Sequence, residues 1–279
     1  MKMKKSTIGY TISCLLIIVL TLLPIIWCLV ISLTPESEML SSQFQFSSKS
    51  MTFDNYQTIF NFSTPQSETV MLGLMNSLKI SILTIIVALP VSFITSYALF
   101  KYDFKFKKLF ITILFLTLVF PVLTTIIPIY NVFKNLGLLD SMFWTAIIYT
   151  SSIMPLLTWI NLNYFKSISP EIWQAAKIDG FSGPQTFFEI AVPLCRPILV
   201  TSTLIIFLAT WKQYMIPMIL LTTYKNRTLT LILSDFMTRD SINYGLIAAT
   251  GIISIIPPII VAVFFRKFLI YGFSAQGKV

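Results

Sequence analysis

The chemistry available to this chain is concentrated in a few polar residues set among long apolar runs. Lys212 stands in Trp211-Lys212-Gln213-Tyr214, near the middle of a run from Pro197 to Tyr224 that carries no other charge until its end. A lysine at mid-bilayer depth costs about 2.5–3.5 kcal/mol on insertion scales, so such a residue faces a cavity or a partner. Two readings satisfy that rule. In one, the ring faces of Trp211 and Tyr214 and the polar heads of Lys212 and Gln213 line or gate a path for a hydroxyl-bearing or anionic solute. In the other, Lys212 pairs with an acid or carbonyl of a neighbouring subunit and never meets a solute. Trp159 and Asn161, in the uncharged run from Ser141 to Phe165, join the candidate path. With Ser151, Ser152 and Thr158 they have a plainer role open to them, hydrogen bonding between helices.

Catalysis finds little to work with. The sequence has no histidine, and its three cysteines, Cys14, Cys28 and Cys195, have no metal-ligand or disulfide spacing. No Asp or Glu lies inside an apolar run, which argues against an intramembrane hydrolase. No GxxxxGK[ST] loop occurs, so any ATP, with its Mg, is handled by another chain. No catalytic residue, metal ligand or cofactor is therefore assigned to this chain, and the expectation is a non-enzyme.

The elements that position these residues follow from composition. With 56% hydrophobic and 11% charged residues and a mean hydropathy of +0.82, the chain is too apolar for an ordinary soluble domain. Six charge-poor stretches are each long enough for the roughly 20 residues that cross a bilayer. The expected fold is an all-α membrane protein of six transmembrane helices in a single domain, 1–279, with helices at about 10–33, 74–100, 109–130, 141–164, 197–222 and 243–265. The first imitates a secretory signal peptide, but it is longer than an h-region and no small-x-small site follows, so an uncleaved helix is expected. Residues 36–68 form a mixed loop with short amphipathic pieces. Pro121, Pro128, Pro155 and Pro217 are expected to break helices, and Pro257-Pro258 to kink the last one.

Charge sets the orientation. With the N-terminus inside, thirteen Lys and Arg fall on inner segments and five on outer ones, while seven acids lie outside and four inside. Both termini are therefore expected in the cytoplasm. The formal charge of +9 is topological, and nucleic acid is not an expected partner.

The loop 166–196 is charged and punctuated. Ser169 is placed as an N-cap, Pro170 at the first helical position and Glu171 at the positive end of the helix dipole. Ile172, Ala175 and Ala176 share a face. Gly180 is placed as a left-handed cap, and Phe181-Ser182-Gly183-Pro184 as a turn that restarts a helix. A helix of about nine residues is marginal alone, so its small-residue face needs a partner. The segment reads as a docking element on the inner side.

This segment also carries a resemblance. Gln174-Ala175-Ala176, then Gly180, Ile190 and Val192-Pro193, resembles the "EAA" loop of permease subunits of binding-protein-dependent ABC importers. Gln174 stands where that family usually has Glu and Val192 where it usually has Leu. Trp27 to Met39, Phe53 to Phe60, Asn76 to Ser81, Ser96 to Lys108, Ile126 to Ser141, Phe165 to Ile172 and the tail from Phe268 are similar to the carbohydrate-importer branch, the smaller permease of maltose-type and multiple-sugar systems. The resemblance implies the type I importer permease fold, in which Glu171, Gln174, Ala175, Ala176, Asp179, Gly180 and Pro193 form the coupling helix and its surroundings. It implies a second homologous permease, two ATP-binding subunits below and an extracytoplasmic substrate-binding protein above, touching the loop 224–243. It implies import of a sugar or oligosaccharide across a bacterial cytoplasmic membrane by alternating access, with an anionic sugar or a glycerol phosphate as the alternative raised by Lys212. An ATP-independent secondary transporter is the rival class; the repeated halves and buried coupling acids common there are not evident.

Overall fold

The computed structural model describes residues 3–39, 51–120, 122–238 and 243–274. Lys2, Phe44, Phe46, Lys49, Pro121, Arg239, Asp240 and the tail 275–279 lie outside the described residues. The elements in order begin with α1 (Met3–Ser32), α2 (Glu36–Met39), α3 (Asp54–Phe60), α4 (Pro65–Lys101), α5 (Lys107–Leu116) and α6 (Val122–Asn135). There follow α7 (Met142–Ser167), α8 (Pro170–Ile178), α9 (Gly183–Gln185), α10 (Val192–Leu194) and α11 (Arg196–Trp211). The chain continues with α12 (Met215–Leu220), α13 (Leu229–Thr238) and α14 (Tyr244–Ser274). No strand occurs among the described residues. Gly9–Ser32, Pro65–Lys101, Met142–Ser167 and Tyr244–Arg266 are each long and apolar enough to cross a membrane, and two bent helix pairs bring the number to six when each counts as one span.

Several boundaries differ from expectation. α4 begins nine residues before 74, because Pro65 opens it and Glu68 suits its first turn. Pro128 and Pro155 sit inside continuous helices rather than breaking them, and Pro257-Pro258 lies within the continuous α14. The expected fifth helix, 197–222, is two helices: α11 ends at Trp211 and α12 starts at Met215. Pro217 lies in the first turn of α12, where its missing N–H costs nothing.

The chain divides into two compact units, Met1–Leu72 with Ile232–Ile256, and Gly73–Leu231 with Pro257–Val279. In the first, the segment after α1 is fastened by polar contacts. Asn55 Nδ2 donates to the Ser32 carbonyl at 2.9 Å, and the Ser32 and Tyr56 hydroxyls meet at 2.7 Å. Asn243 Nδ2 donates to Glu36 Oε2 at 2.8 Å while its Oδ1 caps the Leu246 N–H at 2.7 Å. α1 itself is exposed along Gly9–Ile26, as expected of a helix that meets lipid or another chain.

The second unit is built along α4. Ser77, Ser81, Thr84, Ala88, Ser92 and Ser96 recur every three or four residues and are all buried. Such small residues let neighbouring backbones approach, which is how helices associate without a hydrophobic driving force. Ser96 Oγ donates to the Thr158 carbonyl of α7 at 3.1 Å, and Thr210 of α11 donates to Ser81 Oγ at 3.0 Å. Beside that stripe lie apolar clusters, one joining Ile80, Tyr149 and Leu220 and another joining Ala88, Leu157 and Ile206. At the N-terminal end, Asn76 Nδ2 donates to the carbonyls of Lys225 and Arg227 at 2.8 and 2.9 Å, and Ser77 Oγ accepts the Leu229 N–H at 2.9 Å. The loop that follows α12 is thus held to α4.

The same loop is clasped by Asp140, a non-glycine residue with φ of 61°. Its N–H donates to the Leu220 carbonyl at 2.7 Å, its carboxylate accepts from the Thr223 N–H and hydroxyl, and its own carbonyl accepts from Asn226 Nδ2. Burial raises the Asp140 carboxyl, but hydrogen bonds donated by Thr223, Asn226 and the Thr222 backbone outweigh it and hold the pKa below its ordinary value. A depressed carboxylate contributes stability that is present above its unfolded pKa, about 3.9, and lost as pH falls through the lower folded value. Asp140→Asn is therefore expected to lower the melting midpoint in detergent at pH 7, with the gap to wild type closing below about pH 4. A gap of constant size across that range would show that the charge is irrelevant to the clasp.

Candidate functional site

The segment from Ser169 to Arg196 is assembled from short pieces, each with a local cause. Pro170 occupies the first turn of α8, Glu171 stands beside it and Lys177 in the last turn, all favourable to the helix dipole. Ser169 makes no side-chain cap, contrary to expectation. Gly180 takes φ of 76°, with Gly180 N–H donating to the Lys177 carbonyl at 3.3 Å and Phe181 N–H to the Ala176 carbonyl at 3.0 Å. Those two bonds make a Schellman cap, the ending expected at this glycine. Ser182 then opens α9 in a capping box with Gln185. One turn of π-helix, Thr186–Ala191, leads to α10, and Gly183–Leu194 meets Arg196–Trp211 at 73° beside the buried Cys195.

What holds this segment to the helical unit is a cluster of rings. Phe93, Tyr97 and Phe100 are four and three residues apart on α4, Phe165 lies at the end of α7, Trp173 on α8 and Phe187 in the π-turn. Phe93 and Phe165 lie 5.1 Å apart, Tyr97 and Phe187 5.0 Å, and Phe100 and Trp173 5.3 Å between centroids. Aromatic pairs at such distances contribute about 0.5–1.5 kcal/mol each beyond the area they bury. The cluster was missed in the sequence, although the 93/97/100 spacing on one helix face was its visible trace.

The seven residues expected to couple are dispersed over this frame. Ala176 is buried against it, whereas Glu171, Gln174, Ala175, Asp179, Gly180 and Pro193 are exposed. Ile172 and Ala175 do not share the burial of Ala176; they face outward with Ile178, which is 84% exposed. An exposed apolar stripe on a nine-residue helix is a docking face in search of a cover.

The six path candidates do not form one surface. Trp211 is buried and stacks on Phe207 at 5.4 Å. Lys212 is exposed at the C-cap of α11 instead of lying mid-helix, where its charge complements the helix dipole. Gln213 is half-buried and its carbonyl accepts from Thr230 at 2.8 Å; Tyr214 is half-buried at the N-cap of α12. Trp159 is largely exposed, while Asn161, two residues on, is fully buried and accepts from Ser202 Oγ at 2.9 Å. A hollow of about 670 Å³ lies elsewhere, between the break after α5, α6, α7 and α12. Thr117, Thr124, Thr125, Ser151 and Ser152 line it with apolar neighbours, and among the described residues no charged one does. None of the six path candidates is among its walls.

The sequence profile of the family described as binding-protein-dependent transport system inner membrane component matches residues 88–271, more than half of the chain. The chain belongs to that family. This permease subunit is 28% identical to the trehalose/maltose transport system permease protein MalG of Thermococcus litoralis, over 95% of this chain and 94% of that one. It is 27% identical to the sulfoquinovosyl glycerol transport system permease protein SmoH of Agrobacterium fabrum, over 95% and 92% of the two chains. Among solved structures, a bacterial ABC transporter involved in the import of the acidic polysaccharide alginate superposes with a TM-score of 0.78 at 22% identity, over 95% of this chain and 96% of that one. That likeness establishes the fold of the permease.

The left-handed cap of α8 offers a direct check. Nothing lies within 4 Å of a Cβ built on Gly180, so only its φ resists a side chain. Gly180→Ala is expected to cost about 1–2 kcal/mol, read as a lower melting midpoint of the purified permease, and Gly180→Asn much less. Equal behaviour of the two variants would contradict the backbone assignment.

Proposed function

We propose that this permease carries a neutral di- or oligosaccharide across the cytoplasmic membrane by alternating access. It does so paired with a second, homologous permease, above two ATP-hydrolysing subunits and below a substrate-binding protein. The observation that carries the reading is the ring cluster. It fastens the α8 segment to the ends of α4 and α7, so a push on the exposed Ile172, Ala175 and Ile178 face reaches both long helices without a flexible joint. Interfaces packed in this way transmit small displacements as rigid-body shifts. The Schellman-capped helix supplies the rigid knob and the 73° turn at Cys195 directs the motion into α11.

The hollow beside α7 supports a neutral cargo. Its hydroxyls offer hydrogen bonds to sugar hydroxyls, its apolar walls suit the faces of the rings, and it holds no charge to attract an anion. The relatives named for trehalose, maltose and sulfoquinovosyl glycerol transport favour a saccharide in general. The excess of Lys and Arg on one set of segments supports a cytoplasmic side for α8 and both termini.

Co-expression with the neighbouring genes tests the reading. A second permease and an ATPase should co-purify, and one sugar-loaded binding protein should raise ATP hydrolysis; a chain that purifies alone and binds no ATPase would return the secondary transporter to favour. In the same complex, Ser152→Leu should lower sugar uptake at least about tenfold, equivalent to ~1.4 kcal/mol, with the ATPase still co-purifying. Lys212→Met should leave uptake of the neutral sugar near wild type. Were Lys212→Met the more damaging of the two, the path would run past α11 and an anionic cargo would replace the neutral one.

A further inference from the structure

A second hollow, of about 510 Å³, lies where the end of α4 meets α8, and it falls within the size range of small-molecule sites. Lys101 and Lys177 both line it, together with the rings of Phe100, Trp173 and Phe181 and the amide of Gln174. No Asp or Glu does. The ion pair found among the described residues is Lys107–Asp103, so neither hollow lysine has a carboxylate within bridging distance there. Lys101 is instead tethered to the wall, its Nζ donating to Tyr97 Oη at 3.0 Å and standing 5.4 Å from the centre of that ring.

The geometry points to a binding site for a phosphorylated small molecule, a phosphate monoester on a ring-bearing or apolar body. The charge argument selects the class. Two exposed ammonium groups at one hollow, with no carboxylate of the described residues lining it, match a dianion, and a phosphate monoester carries about −1.5 to −2 at pH 7. A carboxylate, a sulfate ester or a phosphodiester brings a single charge and leaves one lysine unmatched. The walls select the body. Phe100 and Trp173, packed 5.3 Å apart, form with Phe181 an apolar, ring-built wall of the hollow. Gln174 adds a donor and an acceptor for a hydroxyl.

The placement gives the site a consequence. Pro170, Trp173, Gln174 and Lys177 follow the i, i+3, i+4, i+7 spacing of one helix face, and all line the hollow. Glu171, Ile172, Ala175 and Ile178 are exposed on the helix away from that stripe. A ligand in the hollow therefore leaves the exposed Ile172, Ala175 and Ile178 face open to an ATPase subunit, the two contacts adjoining at Gln174. A ligand bridging Lys101 to Lys177 ties α4 to α8 at the joint through which motion passes, and so changes the rate of coupled hydrolysis. That effect on hydrolysis rests on the importer reading; the binding itself does not.

The test measures binding by equilibrium dialysis with labelled glucose 6-phosphate, inorganic phosphate and glucose on the purified permease pair in phosphatidylcholine nanodiscs. It then repeats the measurement with ATPases attached and their sites filled with ATP. Glucose 6-phosphate should saturate one site and bind more tightly than either other probe. Lys101→Gln with Lys177→Gln should weaken it about thirtyfold, at roughly 1 kcal/mol per lysine. Absence of saturable binding, equal binding of glucose, or affinity unchanged in the double variant would overturn the proposal. Binding that vanishes once the ATPases attach would assign the hollow to an acidic group of that partner instead. Displacement by phosphatidylglycerol added to the discs would assign it to a lipid headgroup and equally overturn it. Should the ATPases fail to attach to wild type at all while glucose 6-phosphate still binds, the importer reading fails and the site stands.

Discussion

Helices in a bilayer gain nothing by hiding apolar side chains from lipid, so their association depends on close backbone approach and on hydrogen bonds across the contact. In this permease both come from one stripe, Ser77, Ser81, Thr84, Ala88, Ser92 and Ser96 on α4. Two of its hydroxyls reach other helices, Ser81 meeting Thr210 of α11 and Ser96 the backbone of α7 at Thr158. A bulkier side chain anywhere along it would push apart the helices that the clusters around Ile80 and Ala88 pack together. Asn76 and Lys101 are twenty-five residues apart on this helix, which is about 38 Å at 1.5 Å per residue, more than the hydrocarbon thickness of a bilayer. One rod therefore joins the two ends of its unit.

Each end of the rod is finished differently, as its surroundings require. At the N-terminal end the partners are polar: Asn76 and Ser77 take up the free backbone groups of the loop after α12, and Asp140 accepts a positive φ to complete the clasp. Loop backbone needs such partners because it has no ladder of its own. At the C-terminal end the partners are rings, and Phe93, Tyr97 and Phe100 hold the α8 segment through Phe165, Trp173 and Phe187. A polar clasp fixes a loop; an aromatic cluster transmits a displacement.

Two hollows lie along this frame, and their linings are chemically opposed. The one beside α7 offers hydroxyls and no charge, whereas the one at the foot of α4 offers two lysines between rings. Cargo and effector would then be distinguished by charge alone.

Much of this was legible in the residues. Run length and scarcity of charge marked where the long apolar helices lie, though not their ends, since twenty apolar residues have few alternatives to a helix in lipid. Gly180 announced its left-handed cap, because few other residues accept that φ. Other features needed the fold. Pro128 and Pro155 looked like breaks but are carried inside helices, as is Pro257-Pro258, where a kink was expected. Lys212 looked mid-membrane and proved to be the end of a helix, because nothing in its apolar neighbours reveals that α11 stops at Trp211. Ala176 and Ala175 are adjacent and identical, yet one is buried and the other exposed. By itself the sequence determined which stretches form long apolar helices and where the left-handed turn at Gly180 stands, since both follow from local composition and backbone freedom. Only the tertiary structure decided which face of α8 turns inward, which rings meet and which lysines share a hollow, because those depend on contacts between residues far apart in the chain.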